Sequence, residues 1–133
     1  MTPGTMPPGT RLETISTDLQ KLLLEAQEIA RLGSWSWDVE SGVLSFSPSI
    51  LSILDLPGDG RTTLSNYLSH IHPEDAERTR STREEALLSG ADGYTLEYRL
   101  QGEARIAHVV ARARIERDAS GAAVRVYGSL QDI

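Results

Sequence analysis

The sequence contains no cysteine among its 133 residues. This absence excludes a disulfide framework, a thiolate metal site and a cysteine nucleophile. The sequence also lacks any apolar run near the roughly 20 residues that a membrane-spanning helix needs, and residues 1–11 have no apolar core of the kind that a signal peptide carries. We therefore expect a cytoplasmic protein with no membrane segment.

Basic charge is scarce as well. Thirteen Lys and Arg residues, of which Lys21 is the one lysine, stand against nineteen Asp and Glu residues, and the net charge is −6. A nucleic-acid-binding protein would be expected to carry a basic footprint, so we expect no nucleic-acid partner. The length fits one domain, which buries about two-thirds of the surface of its unfolded chain.

The first half of the chain changes from a helical to an extended pattern. Residues 1–9 hold three prolines and two glycines and are predicted to be a disordered tail. Thr10 and Glu13 have the spacing of a capping box, which predicts a helix over residues 10–32 that Gly33 ends. Strict alternation on both sides of turn residues 40–42 then predicts a β-hairpin.

The middle of the chain is predicted to be helical and its end to be extended. Ser47-Pro48 is typical of a helix start, and residues 73–88 form a longer, charged helix. Three segments of alternating polarity follow, over residues 94–100, 104–117 and 124–133. This order predicts an α+β fold with a five-stranded antiparallel sheet, helices on one face and the N-terminal helix in addition.

Short stretches in a fixed order carry a family resemblance. They are Gly33-Ser34-Trp35-Ser36-Trp37-Asp38, Phe46-Ser47-Pro48, His72-Pro73-Glu74-Asp75, Leu96-Glu97-Tyr98-Arg99-Leu100, Asp118-Ala119-Ser120-Gly121 and Tyr127-Gly128-Ser129-Leu130-Gln131-Asp132-Ile133. Together they resemble a PAS domain of the subgroup found in bacterial histidine kinases and cyclic-di-GMP signalling proteins. One strand departs from the pattern, because Arg105-Ile106-Ala107 stands where the family usually has Arg-Trp-Val.

The resemblance implies a role for the chain and for its end. It implies a PAS domain over residues 33–133, which is a non-catalytic sensory module of a two-component or related signalling protein. In such proteins a helix after the final Asp-Ile leads to an effector, so Asp132 and Ile133 are the expected signal output. We expect the natural chain to continue into that helix and a C-terminal effector domain.

The N-terminal helix has a regular apolar repeat with a spacing of 3-4-3-4-3. The repeat consists of Leu12, Ile15, Leu19, Leu22, Ala26 and Ile29. This spacing is typical of a coiled-coil seam and predicts a homodimer. The seam covers under three heptads, and Leu23, Leu24 and Ala30 broaden the apolar face. Packing of the helix on its own sheet is therefore the alternative.

An internal pocket is a second prediction. Ala107, Val109, Ala111, Ala113 and Ile115 share one face of the long strand, and its small alanines leave volume if that face lies inside. The candidate pocket residues are Trp35, Trp37, Phe46, Tyr94, Tyr98, Val109 and Ala111. The alternative is a well-packed core. The opposite face carries Ile106, His108 and Val110, which need a cover that the N-terminal helix or a partner's could supply.

No cofactor, metal site or catalytic residue is predicted. Haem-binding members of the family usually ligate iron from the helix after the His-Pro motif, and that helix has no histidine here. A flavin adduct needs a cysteine, whereas non-covalent binding of flavin or of an unknown small molecule is left open. An enzyme would need a base such as His108, and Glu74 and Asp75 are read as a solvated helix face. The alternative function is a ligand-free protein–protein interaction module.

Overall fold

A computed structural model of the chain describes residues 10–54 and 58–133, without the side chains of residues 10–15 and 52–53. The elements are α1 (Thr10–Ile29), β1 (Leu32–Asp38), β2 (Val43–Phe46), α2 (Pro48–Leu54), β3 (Arg61–Thr63), α3 (Leu64–Leu68), α4 (Pro73–Ser89), β4 (Gly93–Gln101), β5 (Ile106–Arg117) and β6 (Ala123–Asp132). The α+β fold is confirmed. The tail predicted over residues 1–9 lies outside the described residues.

The strands form one antiparallel sheet in the order β3-β2-β1-β6-β5-β4. The sequence predicted five strands, and the described chain has six. The additional strand is β3, which pairs with β2. Its three residues are too few to show the alternation by which a strand is recognised. Since β6 lies between β1 and β5, the last strand of the chain is central in the sheet.

The inner face of the sheet carries the core. On β5 the predicted inward residues Ala107, Val109, Ala111 and Ala113 are buried, and Ile115 packs against them. Leu100 and Val126, on the neighbouring strands, are also fully buried. Helices α2, α3 and α4 lie on this side, and Ile50, Leu54 and Tyr67 enter the core from α2 and α3.

The end of α1 corrects the predicted helix boundary. The helix ends at Ile29 rather than at Leu32, because Leu32 already pairs with Gln131 as the first residue of β1. Arg31 makes the turn with a positive φ of 53°. Gly33 is therefore not a helix stop, and its missing side chain has another use. A Cβ at Gly33 would collide with the side chain of Ile50, so the glycine lets α2 approach β1 closely.

Helix α4 begins and ends as predicted. His72 caps its N-terminus by accepting a hydrogen bond from the backbone N–H of Glu74 at 3.2 Å, and Pro73 occupies the first turn. Gly90 follows the last turn with a φ of 81°. Asp75 lies on the buried face of the helix, which corrects the prediction that it is solvated.

Helix α1 does not cover the sheet of its own chain. From Ser16 to Ile29 every side chain except that of Gln27 is exposed, and Leu22 is 60% exposed. On the outer face of the sheet Ile106 and Tyr127 also remain exposed. Of the two covers expected for this face, the chain's own helix does not supply it in the described residues. No helix within residues 10–54 and 58–133 is long and apolar enough to cross a membrane.

Candidate functional site

A small cavity lies between the inner face of the sheet and helices α3 and α4. Its volume is about 40 Å³. The residues that line it are Trp35, Trp37, Leu44, Phe46, Leu64, Tyr67, Leu68, Ile71, Arg83, Tyr94, Leu96, Tyr98, Ala111 and Leu130. Six of the seven predicted pocket residues are among them. Val109 is not, because it is fully buried in the core.

Two polar lining residues were missed by the sequence analysis. Tyr67 enters from α3 and Arg83 from α4, and both are buried. Asp75, Thr79 and Arg83 recur at intervals of four, which places them on one helix face. That spacing was visible in the sequence, but a face of charged and hydroxyl side chains is normally solvated.

A pair of tyrosines closes one side of the cavity. The hydroxyl groups of Tyr67 and Tyr98 are 2.6 Å apart and share a buried hydrogen bond. The two rings meet edge to face, with centroids 6.5 Å apart. Burial raises the pKa of both hydroxyls above the usual value, and burial raises the pKa of Tyr94 to about 12. All three phenols are therefore neutral at physiological pH and can donate hydrogen bonds.

The two tryptophans of the cavity differ in their hydrogen bonding. The indole N–H of Trp35 donates to the carbonyl oxygen of Ser129 at 3.0 Å. The indole N–H of Trp37 is buried and has no hydrogen-bond partner among the described residues. A buried donor without a partner is uncommon in folded proteins and calls for an explanation.

An ion pair between Asp75 and Arg99 fastens α4 to β4. Asp75 accepts hydrogen bonds from the backbone N–H and the Nε of Arg99, both at 2.9 Å, and from its Nη2 at 3.0 Å. Arg78 adds a longer contact of 3.4 Å. The hydrogen bonds from Arg99 hold the pKa of the Asp75 carboxyl well below its usual range, against the opposing effect of burial. The ion pair of Asp75 with Arg99 therefore holds α4, the helix that carries Arg83, against β4.

The segment after α1 and the end of β6 meet at one point. The Arg31 guanidinium forms an ion pair with the Asp132 carboxylate, and its Nε donates at 2.8 Å. The backbone N–H of Asp132 also donates to the carbonyl oxygen of Arg31 at 3.0 Å. Ile133, the other predicted output residue, donates its N–H to the carbonyl oxygen of His108 at 2.9 Å and exposes its side chain.

The predicted seam residues lie on α1. Leu19, Leu22, Ala26 and Ile29 are exposed there, whereas the side chains of Leu12 and Ile15 are not among those described.

The histidines do not gather. His72 caps α4, and His108 lies exposed on the outer face of β5. Across the described part of the chain, no three His, Cys, Asp or Glu side chains come together as a group that could hold a metal ion.

This fold is also found by comparison with protein families. The sequence profile of the PAS fold matches residues 43–130, which is more than half of the chain. The chain belongs to the PAS family. PAS domains are sensory modules of signalling proteins. The cavity described above lies between the sheet and the helices of this PAS domain.

Individual relatives agree with this assignment. The sensor protein FixL of Bradyrhizobium diazoefficiens is 27% identical over 103 residues, which are 77% of this chain and 20% of FixL. This chain thus spans about a fifth of the length of FixL.

Two solved structures show the same fold. A sensory box histidine kinase/response regulator from Burkholderia thailandensis has a TM-score of 0.71 and 23% identity, covering 84% of this chain and 83% of that one. The N-terminal domain of a diguanylate cyclase with a PAS/PAC sensor from Marinobacter aquaeolei has a TM-score of 0.68 and 19% identity, covering 76% and 94%.

Proposed function

We propose that this PAS domain is the sensory and dimerisation module of a larger bacterial signalling protein, and that it relays a signal to a C-terminal effector. The observation that carries the proposal is the contact between Arg31 and Asp132. It joins the exit of α1 to the end of the central strand β6. A change in the position of α1 would therefore be transmitted through this contact to Asp132 and Ile133.

The exposed face of α1 supports pairing with a second copy of the chain. Leu19, Leu22 and Ile29 are 55%, 60% and 86% exposed, which is costly for large apolar side chains arranged in one stripe. Their spacing is that of a two-stranded seam, in which the same residues of both helices interdigitate. The occupant that this spacing fits is the identical helix of a second copy, and we propose that the two helices run parallel.

The cavity supports the sensory part of the proposal. It is mostly apolar with a few polar groups, as small-molecule sites are. Ligand pockets usually measure about 300–1,000 Å³, so a ligand larger than a few atoms would have to displace side chains. Trp35 and Phe46 are only half-buried, so their side chains can be displaced toward solvent to enlarge the cavity. A shift of Trp35 would be transmitted to β6, because its indole is bonded to Ser129.

The same small volume favours a second candidate function. A cavity of about 40 Å³ is close to a packed core. The domain would then be a ligand-free interaction module that binds partners through α1 and the outer face of the sheet. In both cases the module itself is not an enzyme, and His108 is too exposed to act as a base in an enclosed site. We place both functions in the cytoplasm, in a two-component or cyclic-di-GMP system.

Light scattering tests the proposed pairing with matched leucine variants. The 14.6 kDa chain should have the mass of a dimer, and Leu22→Glu should convert it to a monomer, because two carboxylates would be buried in the seam. Leu88→Glu is the control, since Leu88 is 88% exposed on α4 and outside the seam. A monomeric parent chain, or a dimer that survives Leu22→Glu, would remove α1 from this role.

A further inference from the structure

Arg83 is a buried cation without an anion. Its side chain projects from α4 into the cavity lining, and the residue is only 8% exposed. A charge taken out of water is costly unless it is paired, and an arginine cannot escape by losing its proton. Within the described ranges, no Asp or Glu lies at ion-pair distance from Arg83, and its guanidinium donates no hydrogen bond to the protein. The guanidinium nitrogens keep a small contact with solvent.

Other partly buried arginines of the same fold are compensated. Arg99 is bound by Asp75 and Glu74. Arg117 donates from Nη1 and Nη2 to the carbonyl oxygens of Leu87 and Ala86, both at 2.9 Å, and to two further carbonyls. Only its Nε has no partner among the described residues. Arg83 therefore differs from Arg99 and Arg117, because the described part of the chain supplies its guanidinium with no acceptor.

Trp37 adds an independent donor to the same cavity. Its indole N–H has no partner in the described ranges, and the residue is 8% exposed. The neutral hydroxyls of Tyr67 and Tyr98 lie in the same lining, where one donates to the other and the second keeps its donor free. None of the fourteen lining residues is acidic. The polar side of the cavity thus has unused donors and one positive charge, whereas the remaining wall is apolar.

We propose that the cavity binds a short-chain carboxylate, with its oxygens on the Arg83 guanidinium and the Trp37 indole N–H and its hydrocarbon part against Leu64, Ile71 and Leu96. The proposal rests on the sensory function and names the class of ligand for that site. A planar carboxylate can accept two hydrogen bonds from a guanidinium. The small volume favours a chain of a few carbons over a large ring system.

Intrinsic fluorescence provides a direct assay. Trp35 and Trp37 are the two tryptophans of the chain, and both line the cavity. Titration with butyrate should change the emission saturably and raise the melting temperature, whereas the neutral isostere butyramide should bind at least tenfold more weakly. Arg83→Met should lower the affinity for butyrate at least tenfold, and Arg83→Lys should restore part of it.

Arg80→Met is the matched control. Arg80 is on the same helix but points to solvent, where it binds Glu77 and Glu84, so its loss should leave butyrate affinity unchanged. Without ligand, Arg83→Met should melt no lower than the parent chain, because an apolar side chain replaces an unpaired buried charge. If Arg83→Met fails to fold, Trp37→Phe serves as the second variant and should weaken butyrate binding about threefold or more, since one donor is lost.

Three results would overturn the inference. They are a parent chain that does not bind butyrate, equal binding of butyramide, and folded Arg83→Met or Trp37→Phe protein with unchanged butyrate affinity. The sensory function is judged separately. If neutral apolar metabolites bind while butyrate does not, the ligand class is wrong and the sensory function stands. If neither butyrate nor any neutral metabolite changes the emission or the melting temperature, the ligand-free interaction module replaces it.

Discussion

The ion pair between Asp75 and Arg99 predicts how the domain responds to acid. Replacing Asp75 with Asn keeps the size of the side chain, but it removes the charge and turns one acceptor into an N–H donor. That donor would face the N–H groups of Arg99, which now point at the carboxylate from 2.9 to 3.0 Å. Hydrogen bonds to charged groups contribute about 1.5–3 kcal/mol each in folded proteins.

The expected loss for Asp75→Asn is about 2 kcal/mol of unfolding free energy, at the lower end of that range because Arg99 remains partly solvated. For a domain of this length, 2 kcal/mol corresponds to a fall of about 6–10 °C in melting temperature. The pKa of the Asp75 carboxyl is lowered in the folded state. Its stabilising contribution is therefore fully present above about pH 5, roughly one unit above the usual pKa of an unfolded Asp, and is lost as the pH falls toward the folded value.

Urea unfolding from pH 7 down to pH 2.5 measures both effects. The gap between the parent chain and Asp75→Asn should be constant above about pH 5 and should narrow at lower pH. Glu77→Gln is the control, because Glu77 pairs with Arg80 on the exposed side of the same helix and should show a much smaller gap. Equal stability of Asp75→Asn and the parent at pH 7, or a gap that does not narrow in acid, would refute the reasoning.

Two further contacts, the tyrosine pair of the cavity wall and the bonds of Arg117 to α4, can be tested by substitution. Tyr67→Phe should destabilise the domain by about 1–2 kcal/mol in chemical denaturation, because the buried hydroxyl of Tyr98 loses its partner. The double variant Tyr67→Phe/Tyr98→Phe should lose less stability than the two single variants added together. Additive losses would contradict a shared hydrogen bond. Arg117→Met should speed hydrogen exchange at the C-terminus of α4, where Ala86 and Leu87 lose the donors to their carbonyls, and unchanged exchange there would show that the contact carries no stability.

The strands were predictable because apolar and polar residues alternate along a strand that has one buried face. On β5 the residues from Ala107 to Ile115 alternate between buried and exposed except at Val110, which is buried on the outer face, and a period of two of this kind is typical of a strand. The end of α1 was less predictable. A glycine after an apolar helix normally marks its end, but here Arg31 adopts the left-handed turn and Gly33 serves the contact with Ile50.

The candidate site was predictable only in its aromatic part. Trp35, Trp37 and Tyr98 fall on the inward positions of their strands, so alternation alone places them in the core. The buried face of α4 escaped prediction because it consists largely of Asp75, Thr79 and Arg83, which resemble a solvated face until the charges of the opposite strand are known. Arg99 on β4 supplies that charge for Asp75, and the pairing joins positions 24 residues apart.

The central claim is that two copies of the PAS domain pair through α1. Since the chain has no cysteine, Asp18→Cys on the exposed surface of α1 can carry a single spin label. Pulsed electron–electron double resonance then measures the distance between the labels of the two copies. Parallel helices at a separation of 8–10 Å should place the two labels within roughly 30 Å of one another. A defined distance in this range is the predicted result, and the absence of dipolar modulation would contradict the claim.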